Sequence, residues 1–431
     1  MRIAVVDHIG NHGGGSRVVR SLLPALTRID PTLQMVYLGN PASIEREGLR
    51  DVFRECGIQV EALRSLSLPG RLAGRSRYVH RAIELLQTGL LSRHAFLPVS
   101  ISGDASREIS SRLQRGFDLV FYPWPFLLRF PVAPCPAVGI FHDFNYRYYF
   151  GGSSVFSAQQ RALLESEMPR WLDGCVPVVS THFMARELAE FYPRHAHRVR
   201  VVALAPLGGV ERVEPGKARA TVEHLGVMGP YLLYPTHMCT HKNVGPLLAA
   251  LALLNQHGRG LKLVLTGAGT DEIRGRAHAL GVRLGLSDPD VLGMGYVSNL
   301  QMNCLIQCAE VVVSPSLYEA GNGPGLDAWG LGVPVAMSDI PPYREHVETI
   351  GVRAKMFDPR SPQSIAGSIG NILDDPQRAA LDVRASTAAL ARLTWETTAA
   401  GYLEAFRHAI ETSGQSPNGV ARRGATTPSR A

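Results

Sequence analysis

The chain has 431 residues, of which 45% are hydrophobic and 19% charged, with a net charge of +7. At about 150 residues per domain this allows two or three globular domains, and it excludes a wholly disordered chain, which needs low hydrophobicity and high net charge. Arg422, Arg423 and Arg430 supply part of the positive charge at the far end, so the body of the chain is too weakly basic to read as a nucleic-acid binder.

Short apolar runs alternate with helical patterns along the chain. Ile3 to Val6, Met35 to Leu38, Leu119 to Tyr122, Ala137 to Phe141, Val176 to Val179 and Val199 to Val202 read as buried parallel strands. Ser16 to Thr27 and Ala158 to Trp171 read as helices between them. A second series runs through Tyr231 to Tyr234, Leu261 to Leu265, Val291 to Leu292, Val311 to Val313 and Pro334 to Met337, with helices such as Gly245 to Asn255 and Asp271 to Leu280. Such alternation implies parallel sheets covered by helices on both faces. The Pro- and Gly-bearing stretch from Ala205 to Gly216 interrupts both series and reads as a linker. Two doubly wound domains, 1–205 and 217–385, are therefore expected, then a helical segment, 386–412, breaking where Thr394 can cap a helix from Trp395, and a disordered tail, 413–431.

No apolar run reaches the roughly 18 residues of a membrane-spanning helix. The chain opens on a strand rather than a signal-peptide pattern, so a cytoplasmic location is expected. The six cysteines show no CxxC pair and read as reduced packing residues.

Three loops carry chemistry. Asp7-His8-Ile9-Gly10-Asn11-His12-Gly13-Gly14-Gly15-Ser16 joins the first strand to the first helix. It is either a plain tight turn or a place where helix N–H groups meet a phosphate; it is neither GxGxxG nor a Walker loop. Tyr234-Pro235-Thr236-His237-Met238-Cys239-Thr240-His241-Lys242-Asn243 follows the first strand of the second domain. Lys242 there is either a solvated lysine or a point charge for a diphosphate. His237 and His241 are four apart, but in a loop and without HExxH, so no metal site is expected. Ser314 to Trp329 runs from a strand through a glycine-rich loop into a helix, with Glu319 and Asp327 eight apart. Carboxylates so placed can accept hydrogen bonds from the paired hydroxyls of sugar or ribose rings.

With these residues in view the chain resembles the family 4 glycosyltransferases, retaining enzymes of the GT-B architecture. Their E-G-F-G-L-P-x-L-E-A signature is similar to Glu319-Ala320-Gly321-Asn322-Gly323-Pro324-Gly325-Leu326-Asp327-Ala328. Gly332-Val333-Pro334-Val335-Ala336, His142-Asp143, Val179 to Leu188, Leu265 to Gly269, Gly293 to Val297 and Thr394-Trp395-Glu396 resemble further family stretches, so the likeness covers nearly the whole chain. It implies two Rossmann-like domains facing a cleft, with the C-terminal helix crossing back to the first. It implies that Glu319 binds the hexose of a nucleotide-diphosphate sugar, Asp327 the ribose, Lys242 and Gly13-Gly14-Gly15 the diphosphate, and that His142 lies on the sugar and acceptor side. Gly321, Asn322, Gly323, His237 and His241 complete the expected donor site. No cofactor beyond the donor and no metal are implied, and the acceptor is a carbohydrate or a lipid-linked one. The sequence departs from the pattern at Asp327, one methylene shorter than glutamate, at Asn322, whose side chain is offered to the donor, and before Lys242, where His237 or His241 replaces the usual arginine and makes phosphate binding pH-sensitive.

Arg64, Arg71, Arg75, Arg77, Arg81 and Arg93 face a single acid, Glu84, between residues 64 and 93. This stretch is either a solvated face or a peripheral membrane contact with anionic lipid at the inner face of the membrane. Two other functions fit the same residues: a non-catalytic nucleotide-sugar-binding subunit, and a sugar-nucleotide epimerase on the same architecture.

Overall fold

The computed structural model describes residues 1–8, 14–46, 48–63, 106–125, 129–151, 157–206, 211–272, 281–287 and 290–414. They form two parallel sheets. The first has the order β3-β2-β1-β4-β5-β6-β7, with β1 (Arg2–Asp7), β2 (Gln34–Gly39), β3 (Gln59–Ala62), β4 (Leu119–Tyr122), β5 (Ala137–Ile140), β6 (Cys175–Val179) and β7 (Arg200–Val201). The second has the order β10-β9-β8-β11-β12-β13, with β8 (Tyr231–Pro235), β9 (Lys262–Thr266), β10 (Val291–Gly293), β11 (Val311–Ser314), β12 (Val335–Ser338) and β13 (Lys355–Phe357). Registers are parallel throughout; Ile3, for example, lies between Met35 and Leu119.

Central strands such as Leu119–Tyr122 and Val311–Ser314 are buried along their whole length, because helices cover both faces. Each domain thus has two cores, one on each side of its sheet. Two strands escape the sequence reading, β3 and β13. Both lie at sheet edges, where one flank faces away from the core and polar residues such as Gln59, Glu61 and Lys355 dilute the apolar pattern.

The strand order reverses between β1 and β4 in the first domain and between β8 and β11 in the second. Loops leaving the carboxyl ends at such switch points form a crevice. Helix Gly14–Ile29 leaves β1 and Trp124 follows β4; Lys242 follows β8 and Glu319 follows β11.

The C-terminal helices move one expected boundary. Position 385/386 falls inside the helix Pro376–Leu390, whose Val383 and Leu390 are buried on the second domain. The chain crosses after that helix. Thr394 Oγ1 accepts from the Thr397 amide at 3.2 Å, and Trp395–Gly414 packs on the first domain through Ala399, Tyr402, Leu403 and Phe406. Phe121 meets Phe406 at 5.3 Å between ring centroids, and Trp395 Nε1 donates to the Pro206 carbonyl at 2.7 Å. The crossing follows the apolar face: Tyr402 and Phe406 are fully buried only against the first domain. Among the described residues no helix is long and apolar enough to cross a membrane.

Candidate active site in the interdomain cleft

A cleft of about 480 Å³ lies between the carboxyl ends of the two sheets. That is within the usual size of a small-ligand site. Gly15, Trp124, His142 and Asp143 line one wall; His237, Lys242, Glu319, Gly321, Asn322 and Gly323 line the other.

The Lys242–Glu319 pair is at the centre of the second wall. The Lys242 ammonium donates to Glu319 Oε1, and Ser316 Oγ donates to the same oxygen at 2.7 Å. Burial by itself pulls the Lys242 pKa down, but the Glu319 carboxylate and its hydrogen bond outweigh burial, and the net direction is upward. For Glu319, burial pushes up and Lys242 pulls down further, so the carboxyl is held below its usual range. Both groups are charged at neutral pH.

The backbone positions the lysine before any ligand arrives. Asn243 takes the left-handed conformation, φ 57°, and its Nδ2 donates to the Pro315 and Pro359 carbonyls at 2.9 and 2.7 Å. Tyr234 Oη donates to the Lys242 carbonyl at 3.1 Å, and the Leu317 amide donates to the His241 carbonyl at 2.8 Å. The lysine loop is therefore bound to the Glu319 loop. Gly267 is required beneath it: its φ is 115°, and a Cβ there would lie 1.8 Å from the Thr236 carbonyl oxygen.

Two residues of the glycine-rich loop are engaged by partners inside the protein. Asn322 is buried and caps the helix Gly323–Leu331: its Oδ1 accepts from the Gly325 amide at 3.0 Å and its Nδ2 points at Met337 Sδ, 3.3 Å away. The side chain thus holds the loop to its helix while Asn322 lines the cleft. Gly325 permits this, since a Cβ there would lie 2.4 Å from Asn322 Nδ2. Asp327 is 2% exposed, and its Oδ2 pairs with Arg17 Nη1 of the first domain at 3.1 Å. The carboxylate that the resemblance assigns to the ribose is joined to the opposite domain. Gly321 and Gly323 do line the cleft.

On the first wall, His142 Nε2 lies 2.9 Å from the Pro123 carbonyl, an acceptor, so the ring carries its proton on Nε2 there. The Trp124 ring is tilted 31° against it at 4.3 Å. Asp143 accepts from the Asn145 amide at 3.0 Å. Burial raises its pKa to about 6, offset in part by that amide and reinforced by Glu319. Gly14 and Gly15 begin the helix Gly14–Ile29. Gly13 lies outside the described residues, as does the stretch Arg64 to Arg93.

His237 lines the cleft and His241 is buried behind it. Burial first, then the Lys242 charge, lowers both to about 4. Both imidazoles are neutral at physiological pH when no anion lies beside them. Cys239 brings its sulfur 3.5 Å from His241 Nδ1.

Several residues of the cleft had no sequence signal. Glu345 of the second domain accepts from the His182 and Phe183 amides at 2.6 and 2.8 Å, at the start of the first-domain helix His182–Phe191. Tyr318 donates to Glu187 across the same interface and accepts from the Phe144 amide at 3.1 Å. His346, 7% exposed, faces Gly321 from a π-helical turn, and burial lowers its pKa to about 4. The Glu345 and Tyr318 contacts join residues more than 130 positions apart, so no local pattern announces them.

Residues 229–375 match the family model described as glycosyl transferases group 1. The chain is 27% identical over 243 residues to the D-inositol 3-phosphate glycosyltransferase of Thermobispora bispora, covering 54% of this chain and 56% of that one. It is 25% identical over 277 residues to the O-antigen chain mannosyltransferase B of Escherichia coli, covering 63% and 70%. The chain thus spans little more than half the length of the Thermobispora relative. The crystal structure of Anabaena HepE in complex with UDP and glucose superimposes with a TM-score of 0.65 at 18% identity, covering 95% of this chain and all of that one. The fold is that of the GT-B glycosyltransferases.

Proposed function

We propose that this chain is a retaining, metal-independent glycosyltransferase. It moves a hexose from a nucleotide-diphosphate sugar to a carbohydrate or lipid-linked acceptor in cell-surface polysaccharide or glycoconjugate assembly, at the cytoplasmic side of the membrane. The observation that carries this reading is the charged Lys242–Glu319 pair at the switch point of the second sheet, facing His142 and Trp124 of the first domain. The relatives named as glycosyltransferases and the UDP-bound neighbour support it.

The chemistry asked of these residues is modest. The acceptor hydroxyl forms a bond to the anomeric carbon on the face from which the diphosphate leaves, and its proton passes to the departing phosphate oxygen. The main barrier is the charge that gathers on that oxygen. A lysine fixed beforehand in a buried site stabilises it without reorganisation. Lys242 exchanges its Glu319 partner for the diphosphate, and Glu319, still held by Ser316, turns its accepting oxygens to the hexose hydroxyls. The N-terminus of the helix Gly14–Ile29 supplies partial positive charge from the first domain. The Trp124–His142 face orients the sugar and its acceptor.

One observation favours a second reading. With Asn322 and Asp327 both engaged inside the protein, the donor loop has fewer free groups than the family pattern implies. A non-catalytic nucleotide-sugar-binding subunit would tolerate that. Incubation of the purified chain with UDP-, GDP-, ADP- and dTDP-hexoses, with and without membrane extract, separates the readings: transfer requires an acceptor, an epimerase yields a new sugar nucleotide without one, and a binding subunit consumes nothing.

A further inference from the structure

Cys239 has no task in the proposed transfer, yet the fold places it between two histidines. One nitrogen of His237, one of His241 and Cys239 Sγ all lie within 4.8 Å of one another. We propose that His237, Cys239 and His241 form a binding site for a thiophilic divalent cation, zinc first among them, at the wall of the cleft.

Donor type and spacing agree with the proposal. Two imidazoles and a thiolate suit zinc and disfavour magnesium or calcium. Tetrahedral zinc, with Zn–S about 2.3 Å and Zn–N about 2.0–2.1 Å, sets an S···N edge at about 3.6 Å. The Cys239 sulfur lies 3.5 Å from His241 Nδ1 and 3.7 Å from its Nε2, so a turn of the imidazole aims one nitrogen at the ion. The three side chains sit at alternate positions of one loop, whose backbone is already fixed: the Cys239 amide donates to the His237 carbonyl at 2.9 Å, the Met238 amide to the Ala268 carbonyl at 2.9 Å, and the Lys242 amide to the Cys239 carbonyl at 3.1 Å. The ion therefore has side chains to turn but no backbone to order.

The charge balance is also tolerable. The nearest cation, Lys242, is paired with Glu319. Thiolate ligation converts M²⁺ and a thiol to a metal thiolate and one released proton, so affinity rises with pH. The protein supplies three ligands. Water completes the fourth position.

The site does not depend on the proposed transfer, so it is tested on the full chain without any sugar nucleotide. The metal-free protein is titrated with Co²⁺ and followed by its near-ultraviolet thiolate charge-transfer band and its visible tetrahedral bands. We expect one ion per chain, displaced by one equivalent of Zn²⁺. Loss of one outer contact already costs 10–100-fold in metal affinity, so Cys239→Ser, which removes a ligand, should abolish the charge-transfer band and weaken Co²⁺ by at least about 100-fold. Cys56→Ser should leave both unchanged. Zn²⁺ should also raise the Tm of the wild type but not that of Cys239→Ser. Absence of the band in wild-type protein up to millimolar Co²⁺, or a spectrum unaffected by Cys239→Ser, overturns the proposal.

Discussion

Asp327 of the second domain and Arg17 of the first form an ion pair across the cleft, with Oδ2 and Nη1 3.1 Å apart. Its two ends are unequal: the Asp327 side chain is 3% exposed and that of Arg17 24%. Removing the arginine leaves a buried carboxylate, whereas removing the carboxylate leaves a partly hydrated guanidinium. Arg17→Ala should therefore cost more than Asp327→Asn, about 3 against about 1–2 kcal/mol. Urea unfolding checks the order: equal losses would contradict the asymmetry, and losses near zero in both variants would show that the pair does not hold the domains.

The Lys242–Glu319 pair is expected to carry the rate. Lys242→Ala removes the charge that meets the leaving diphosphate, and Glu319→Ala removes the acceptor for the hexose hydroxyls. Each should lower turnover by about 10²–10³-fold, the loss typical of one preorganised transition-state contact. Steady-state kinetics on variants with wild-type circular dichroism give the answer. Unchanged turnover in either would remove that residue from the mechanism.

Asp143 makes stability depend on pH in an unusual direction for a carboxylate. Its folded pKa, about 6, lies above the ordinary 3.8, so folding favours the protonated form. That contribution is complete below about pH 4 and is lost as pH rises through about 6. Two pKa units correspond to roughly 2–3 kcal/mol. Asp143→Asn, which keeps an acceptor for the Asn145 amide, should be more stable than wild type at pH 7.5 and should flatten the stability profile between pH 4 and 6. Thermal melts across that range decide it, and a variant that melts lower at pH 7.5 contradicts the assignment.

Transfer should survive EDTA. Lys242 supplies the charge at the diphosphate, and Glu319 and the loop backbone hold it in place without an ion. A zinc ion at Cys239 adds stability, not a reactant. A requirement for added Mg²⁺ or Mn²⁺ would falsify the lysine clamp.

Much of this architecture was legible in the sequence because parallel strands buried on both faces leave short unbroken apolar runs, as in Leu119 to Tyr122. The loops carrying Lys242 and Glu319 stood out because glycines, prolines and charged residues there have no use in a core. The edge strands β3 and β13 were hidden by their polar residues. The fates of Asn322 and Asp327 were hidden for another reason. A motif records residue types in order, but the cap on Gly325 depends on the loop's path and the bond to Arg17 on how two domains meet. The lowered pKa values of His237 and His241 likewise come from burial at and behind the cleft wall, which spacing does not encode.

The central claim is that the cleft transfers a hexose from a nucleotide-diphosphate sugar with Lys242 at the leaving group. The most direct measurement is acceptor-dependent release of nucleoside diphosphate from the four donor classes by wild type and Lys242→Ala, with the anomeric configuration of the product read by NMR. The account predicts release with one donor class, a product of retained configuration, and loss of both in the variant. Inversion at the anomeric carbon, or equal release by the folded variant, would contradict it.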